Sequence, residues 1–176
     1  AMTASKDKNV FSWKPVSLWL LLAFIPSSLM LGVTSHVTTD IASLPLLWII
    51  PLAAYLTSFI IAFAEPPLWW ARHDKKAFSL AIMSAAIMLL TIVFPTLKYE
   101  IFLLIVHYTG FFMVATYCHL LLAQSKPDTK YLTGFFIIVS CGGALGGVFN
   151  ALLAYHIFNT ATEYGIILCL FVIFIC

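Results

Sequence analysis

Long apolar runs alternate with short polar segments along this chain, and the alternation predicts its architecture. A helix needs about 20 mostly apolar residues to cross the hydrocarbon core of a bilayer. Runs of this kind lie near 16–35, 45–63, 77–95, 101–123, 131–157 and 163–176. Prolines such as Pro45 and Pro95 stand where helices are expected to begin or end. The pattern predicts an all-α, polytopic integral membrane protein with about six transmembrane helices.

The amino-acid composition supports this class and excludes several others. Of the 176 residues, 62% are hydrophobic and 9% are charged, whereas soluble domains have about 45–50% apolar and about 25% charged residues. The principal partner is therefore the lipid bilayer. The net charge is only +2 and no basic run occurs, so no nucleic-acid partner is expected. The four cysteines lack CxxC spacing, which indicates neither a disulfide framework nor a thiolate zinc site.

The distribution of lysine and arginine predicts the orientation of the helices. Most of these residues precede the first run, separate the second from the third, or separate the fourth from the fifth. They are Lys6, Lys8, Lys14, Arg72, Lys75, Lys76, Lys126 and Lys130. The opposite side has only Lys98. Because cytoplasmic loops carry an excess of positive residues, the N-terminus is predicted to be cytoplasmic.

The domain organisation is simple. Residues 1–12 are predicted to form a polar N-terminal tail. Its Ala-Met start is typical of residues added for expression, which do not contribute to the fold. Residues 13–176 are predicted to form a single six-helix transmembrane domain. The last run reaches Cys176 after about 14 residues, or about 21 Å of helix. We therefore expect the domain to be truncated in its last helix.

Four polar residues are predicted to lie near the outer level of the bundle: His36, Asp40, His107 and Asn150. Polar groups within a span usually face the bundle interior, a partner or a watery cavity. The leading hypothesis is a vestibule that binds or transports a small cationic solute. Asp40 would supply the counter-charge, Asn150 would orient the solute, and the histidines would act as donors or as proton-linked acceptors near neutral pH. Alternatively, His36 and Asp40 cap a helix end and form only local hydrogen bonds.

Two further hypotheses remain open. His36, His107 and His156 could bind a transition metal or haem in a redox membrane protein, although no HxxxH or HExxH spacing occurs. The chain could instead be a passive membrane anchor. The leading hypothesis requires no cofactor. The absence of a Ser-His-Asp arrangement, paired catalytic carboxylates or a phosphate loop disfavours an enzyme.

The run "CGGALGGVFN" contains two interleaved GxxxG patterns. One consists of Gly142 and Gly146 and the other of Gly143 and Gly147. Glycines four residues apart in an apolar helix allow a neighbouring helix to approach closely. We predict that these four residues serve helix packing. The run does not match a GxGxxG nucleotide loop.

Two stretches carry a resemblance to a known family. The first is "AFIPSSLMLGVTSHVTTDIASLPLLWIIPLAAYLTSFIIAF", and the second is "CHLLLAQSKPDTKYLTGFFIIVSCGGALGGVFNALLAYHIF". Over residues 13–160 the chain resembles the membrane region of bacterial fused major-facilitator and spermidine-synthase-like proteins. It departs from that family at Leu120, Leu121 and Tyr155, where glycine, an acidic residue and proline are usual.

The resemblance implies several expectations that the residues alone do not give. It implies a bacterial inner-membrane location and a link to polyamine-like cations. It also implies that a cytoplasmic aminopropyltransferase-like domain follows the membrane helices in such proteins. That domain contains the nucleotide-binding glycines, and it is missing from this chain. Apart from the resemblance, six helices are compatible with half of a transporter, which either a homodimer or a missing second half would complete.

Overall fold

The computed structural model describes residues 13–41, 46–64, 74–94, 100–154 and 162–175. Over these residues the chain is helical and no strand occurs. The α-helices are α1 (Trp13–His36), α2 (Ile49–Phe63), α3 (Asp74–Val93), α4 (Glu100–Gln124), α5 (Leu132–Val148) and α6 (Thr162–Ile175). Two π-helical segments, Val37–Ile41 and Phe149–Ala154, continue α1 and α5. The all-α prediction is confirmed.

Within the described ranges, four helical segments are long and apolar enough to cross a membrane. They are Val16–Thr39, Lys75–Val93, Glu100–Gln124 and Thr129–Leu152. The apolar helices Ile49–Phe63 and Glu163–Ile175 are shorter. At 1.5 Å per residue, the 15 residues of α2 span about 22 Å, less than the roughly 30 Å hydrocarbon core. The long helices are those expected of a membrane protein.

Helices α1 and α4 form the interior of the bundle. Half of the apolar window of α1 and 39% of that of α4 are buried, against 22% for α3 and 17% for α5. Helix α4 packs against α1, α2 and α3, and α1 packs against α2, α4, α5 and α6. Polar residues on α1 and α4 are therefore the ones most often enclosed in the apolar interior of the bundle.

Glycines bring α5 into backbone contact with α1. A Cβ atom added to Gly142 would lie 2.5 Å from the carbonyl oxygen of Leu20. One added to Gly146 would lie 2.7 Å from the carbonyl oxygen of Phe24. Real Cβ atoms do not approach backbone atoms so closely, so any side chain at either position would force the helices apart.

The second glycine pair faces elsewhere. A Cβ atom at Gly143 would lie 4.0 Å from the hydroxyl oxygen of Tyr55, an ordinary contact distance. Within the described part of the chain, no atom lies within 4 Å of a Cβ at Gly147. The two interleaved patterns thus have different surroundings, because residues one position apart on a helix point about 100° apart.

Contacts at constant sequence offset establish the directions of the helices. Residues of α1 meet residues of α5 that lie 122 positions later, so these helices run parallel. An offset of 61 recurs between the α2 region and α4, which are also parallel. His36 ends α1 and meets His107 near the beginning of α4, so α1 and α4 run in opposite directions. Helices α1 and α5 therefore run in one direction, and α2 and α4 run in the opposite direction.

Candidate functional site

Four polar side chains from four helices meet at one end of the bundle. They are His36 of α1, Thr91 of α3, His107 of α4 and Tyr164 of α6, hereafter the His107 cluster. His107 and Tyr164 are each only 1% exposed. Their surroundings include Val33, Met88 and Phe111, which belong to the buried apolar core. Groups of this kind are costly inside an apolar bundle unless they are hydrogen-bonded.

The hydrogen bonds of the cluster have a defined direction. The Thr91 hydroxyl donates to the carbonyl oxygen of Met88 at 2.8 Å, so its oxygen is left to accept from His107 Nε2–H at 3.3 Å. His107 Nδ1 therefore carries the lone pair and accepts the Tyr164 hydroxyl hydrogen at 2.9 Å. With these donors and acceptors, His107 is assigned the neutral tautomer that carries its hydrogen on Nε2.

His36 is the less buried member of the cluster. Its ring centroid lies 4.7 Å from that of His107 and 5.5 Å from that of Tyr164. The interplanar angle of 66° between the two imidazoles is an edge-on arrangement. His36 is half-buried, whereas His107 is fully enclosed. His36 is therefore the more accessible of the two imidazoles.

Gly32 makes room for the tyrosine of this cluster. It lies one helical turn before His36 on α1. A Cβ atom at Gly32 would lie 3.1 Å from Cδ2 of Tyr164, closer than most real Cβ contacts. The missing side chain thus allows the Tyr164 ring to lie against α1 while its hydroxyl reaches His107.

The polar stretch after Gly32 satisfies much of its hydrogen bonding locally. Thr38 donates to the carbonyl oxygen of Thr34 at 2.8 Å, and Thr39 donates to that of Ser35 at 2.6 Å. These bonds accompany the change from α-helix to the π-helical segment that contains Asp40. Such π-helical turns are frequent at functional sites. The hydroxyls therefore belong to the helix end, whereas His36 belongs to the cluster.

Asn150 lies at a different helix contact. Its amide nitrogen donates to Ser28 Oγ at 2.5 Å and to the carbonyl oxygen of Gly146 at 3.1 Å. Nearby, Ser27 Oγ donates to the carbonyl oxygen of Gly143 at 2.8 Å. These bonds join α1 to α5, where the glycines bring the backbones together. The structure thus brings His36 and His107 together and gives Asn150 partners on the α1–α5 contact.

A second histidine is buried on α4, twelve residues or about 18 Å of helix from His107. His119 is 1% exposed, and its Nδ1 atom lies 2.9 Å from Ser58 Oγ on α2. The rings of Tyr55 and Phe59 flank it at centroid distances of 5.1 Å each. The sequence indicated little for this residue, and Ser58 was not among the predicted site residues.

Metal binding receives no direct geometric support. Within the described ranges, no group of three or more His, Cys, Asp or Glu side chains is arranged to hold a metal ion. His156, the third member of the predicted metal set, lies outside the described residues. The residues that can be located, His36 and His107, would offer at most two imidazoles, and both nitrogens of His107 already have hydrogen-bond partners.

Comparison with known proteins gives no match: no family model, curated protein or solved structure is similar to this chain. The resemblance to fused major-facilitator and spermidine-synthase-like proteins rests on the motifs quoted above and stays a prediction. The functional argument accordingly rests on the geometry of the two histidine sites.

Two members of the His107 cluster, Thr91 and Tyr164, were not predicted from the sequence. Tyr164 is a single hydroxyl-bearing ring at the start of the last apolar run, directly after Glu163. Thr91 is an isolated polar residue near the end of the third run. The sequence did carry one signal for both residues: each lies near a helix end that is expected on the same side of the membrane as His107. Their pairing with His107 required the arrangement of the helices.

Proposed function

We propose that this chain is a six-span membrane domain that binds, and moves, a small amine-type cation at the His107 cluster. Contact between two imidazoles from different helices, His36 and His107, inside an apolar bundle is the observation that carries the proposal. Ionisable residues within spans are rare because they are costly there, and they commonly mark solute or proton pathways. An imidazole pair assembled from distant parts of the chain, with His107 buried and His36 half-buried, fits such a role.

The donor and acceptor pattern of the cluster favours an amine. The Tyr164 hydroxyl donates its hydrogen to His107, so the lone pairs of its oxygen can still accept hydrogen bonds. Ammonium groups have only donors, and they are attracted to the faces of aromatic rings. His36 and Tyr164 lie beside each other at 5.5 Å between centroids and offer both features. Asp40, four residues after His36 in the sequence, is the proposed counter-charge.

The alternating directions of the helices support six spans with a cytoplasmic N-terminus. Residues at the end of α1 and α3 meet residues at the beginning of α4 and α6. Consecutive helices that run in opposite directions are joined at one and the same end of the bundle, so alternate connections lie on the same side. The lysine-rich connections then share one side, which the positive-inside rule assigns to the cytoplasm. In a bacterium this membrane would be the inner membrane.

Thermal stabilisation of the purified protein tests the proposal. Spermidine, putrescine and butylamine are added to the protein in detergent, and unfolding is followed by tryptophan fluorescence. At least one of these amines should raise the unfolding temperature of the unmodified chain. A ligand at 100 times its dissociation constant stabilises the folded state by about 2.7 kcal/mol, which is readily measured.

A matched pair of histidine variants locates the effect. The substitutions His107→Gln and His119→Gln remove equally buried histidines from the same helix. The amine effect should be lost in His107→Gln and in His36→Gln but retained in His119→Gln. If no amine stabilises the protein, or if all three variants respond equally, the proposed function is wrong.

A further inference from the structure

His119 has a free hydrogen-bonding atom that the proposed amine site does not use. Within the described part of the chain, its Nε2 atom is buried and has no hydrogen-bond partner. The residue itself is 1% exposed. Buried polar side-chain atoms are usually satisfied, and each exception calls for a ligand, a water molecule or a function.

The hydrogen bonds around His119 favour an acceptor role for this atom. The Ser58 hydroxyl donates its single hydrogen to the carbonyl oxygen of Tyr55 at 2.7 Å. With that hydrogen on the carbonyl, the serine oxygen accepts from His119 at 2.9 Å, and we assign the imidazole hydrogen to Nδ1 on this basis. Nε2 is then the lone-pair nitrogen. In this tautomer Nδ1 faces Ser58, and Nε2, on the other side of the ring, is the single acceptor.

The surroundings of Nε2 are aromatic and uncharged. Tyr55 and Phe59 flank the imidazole edge-on, with interplanar angles of 80° and 76°. Helices α2 and α5 contain no Asp, Glu, Lys or Arg, and the acidic residue of α4, Glu100, stands nineteen positions before His119. An ionised ligand would have no counter-charge there and would be strongly disfavoured.

The aromatic cover of this site is accessible from the outside of the bundle. Tyr55 and Phe59 are only half-buried, and their neighbours Leu56 and Ile60 are exposed by 52% and 65%. This face of α2 belongs to a membrane helix bundle, so a molecule dissolved in the bilayer can reach it. Phe59 also stacks on Phe63 at 4.4 Å, which extends the apolar contact surface beside the acceptor.

We propose that Tyr55, Ser58, Phe59 and His119 form a second binding site, for a small uncharged molecule of the phenol or alcohol class. The ligand would donate one O–H hydrogen bond to His119 Nε2 and pack its apolar body against the Tyr55 and Phe59 rings. The site lies about 18 Å along α4 from His107 and faces α2 rather than α3. It is independent of the proposed amine site, so either can fail alone.

The test compares two probes that differ in one hydrogen-bond donor. The full chain in lipid nanodiscs is titrated with 4-ethylphenol and with 4-ethylanisole, whose methyl ether lacks the O–H group. Because a buried acceptor without a partner is costly, the phenol should bind about tenfold more tightly. Imidazole nitrogen resonances of 15N-histidine-labelled protein should show that the phenol, but not the ether, shifts Nε2 of His119.

Variants assign the preference to the site. In His119→Phe the tenfold preference for the phenol should disappear, whereas in His36→Gln it should persist. If His119→Phe does not fold, Ser58→Ala serves instead, because it releases the imidazole tautomer and should reduce the preference by several-fold. Butylammonium is the charged comparison and should leave the His119 resonances unchanged.

Four outcomes would overturn the proposal. These are equal binding of the two probes, a preference that survives in both His119→Phe and Ser58→Ala, and a His119 shift caused by butylammonium alone. The fourth is an Nε2 resonance that already reports a hydrogen bond without probe and stays unchanged with it, since the site would then hold only water.

Discussion

Tyr164 donates its hydroxyl hydrogen to Nδ1 of His107 at 2.9 Å, and this bond joins the sixth helix to the fourth at a depth where both side chains are almost fully buried. The bond does two things at once. It satisfies a phenol and an imidazole that would otherwise be costly in the apolar interior. It also selects the imidazole tautomer whose second nitrogen donates to Thr91.

Removal of the phenol hydroxyl tests the energetic importance of this bond. The substitution Tyr164→Phe leaves His107 Nδ1 as a buried acceptor without its donor. We expect the free energy of unfolding to fall by about 1–3 kcal/mol. Tyr131→Phe is the matched control, because Tyr131 is 50% exposed and its substitution should change stability by no more than about 0.5 kcal/mol. Denaturant unfolding in mixed micelles provides the measurement, and equal effects of the two substitutions would contradict the assigned bond.

The two glycine pairs of α5 should differ in their tolerance of alanine. Gly142→Ala places a methyl group against the α1 backbone and should destabilise the protein by about 1–3 kcal/mol through overpacking. Gly147→Ala meets no described atom and should be neutral, or stabilising by up to about 1 kcal/mol through helix propensity. Thermal unfolding of both variants decides the matter. A large loss of stability in Gly147→Ala would mean that this face also packs closely.

Gly32 is expected to act through Tyr164. The substitution Gly32→Ala requires the Tyr164 ring to move by a few tenths of an ångström and should weaken its bond to His107. Tyr164→Phe should then cost less stability in the Gly32→Ala background than in the unmodified chain. Gly165→Ala is the control, because its Cβ would make only an ordinary 4.0 Å contact with Leu89. Additive effects of Gly32→Ala and Tyr164→Phe would show that the glycine has no such positioning role.

Asn150 and Ser28 should be energetically coupled across the α1–α5 contact. A double-mutant cycle with Asn150→Ala and Ser28→Ala removes the bond between the amide nitrogen and Ser28 Oγ. We expect an interaction free energy of about 0.5–1.5 kcal/mol, typical of a buried neutral hydrogen bond. Amine stabilisation measured on the same variants would show whether Asn150 also contributes to solute binding. A coupling indistinguishable from zero would contradict the hydrogen bond.

Helix α4 and the glycines of α5 show which features could be predicted from the sequence and which could not. The length of the apolar run around His107 predicts a membrane helix. In the structure this run forms helix α4, which is 25 residues long. Likewise, GxxxG spacing indicated close packing, and Gly142 and Gly146 lie against the α1 backbone. Sequence spacing could not distinguish them from Gly143 and Gly147, because that choice depends on how α5 is rotated about its axis.

The sequence by itself determined the helical class, the membrane setting and the presence of histidines at depths where polar groups are costly. These properties depend on local composition and on the length of apolar runs, which each segment carries on its own. Only the tertiary structure decided that His107 meets His36, Thr91 and Tyr164 and that Asn150 bonds Ser28. It also decided that Nε2 of His119 has no hydrogen-bond partner among the residues that the structure describes. The reason is that partners on different helices, here 16 to 122 positions apart in the sequence, are chosen by the direction, rotation and register of the packed helices.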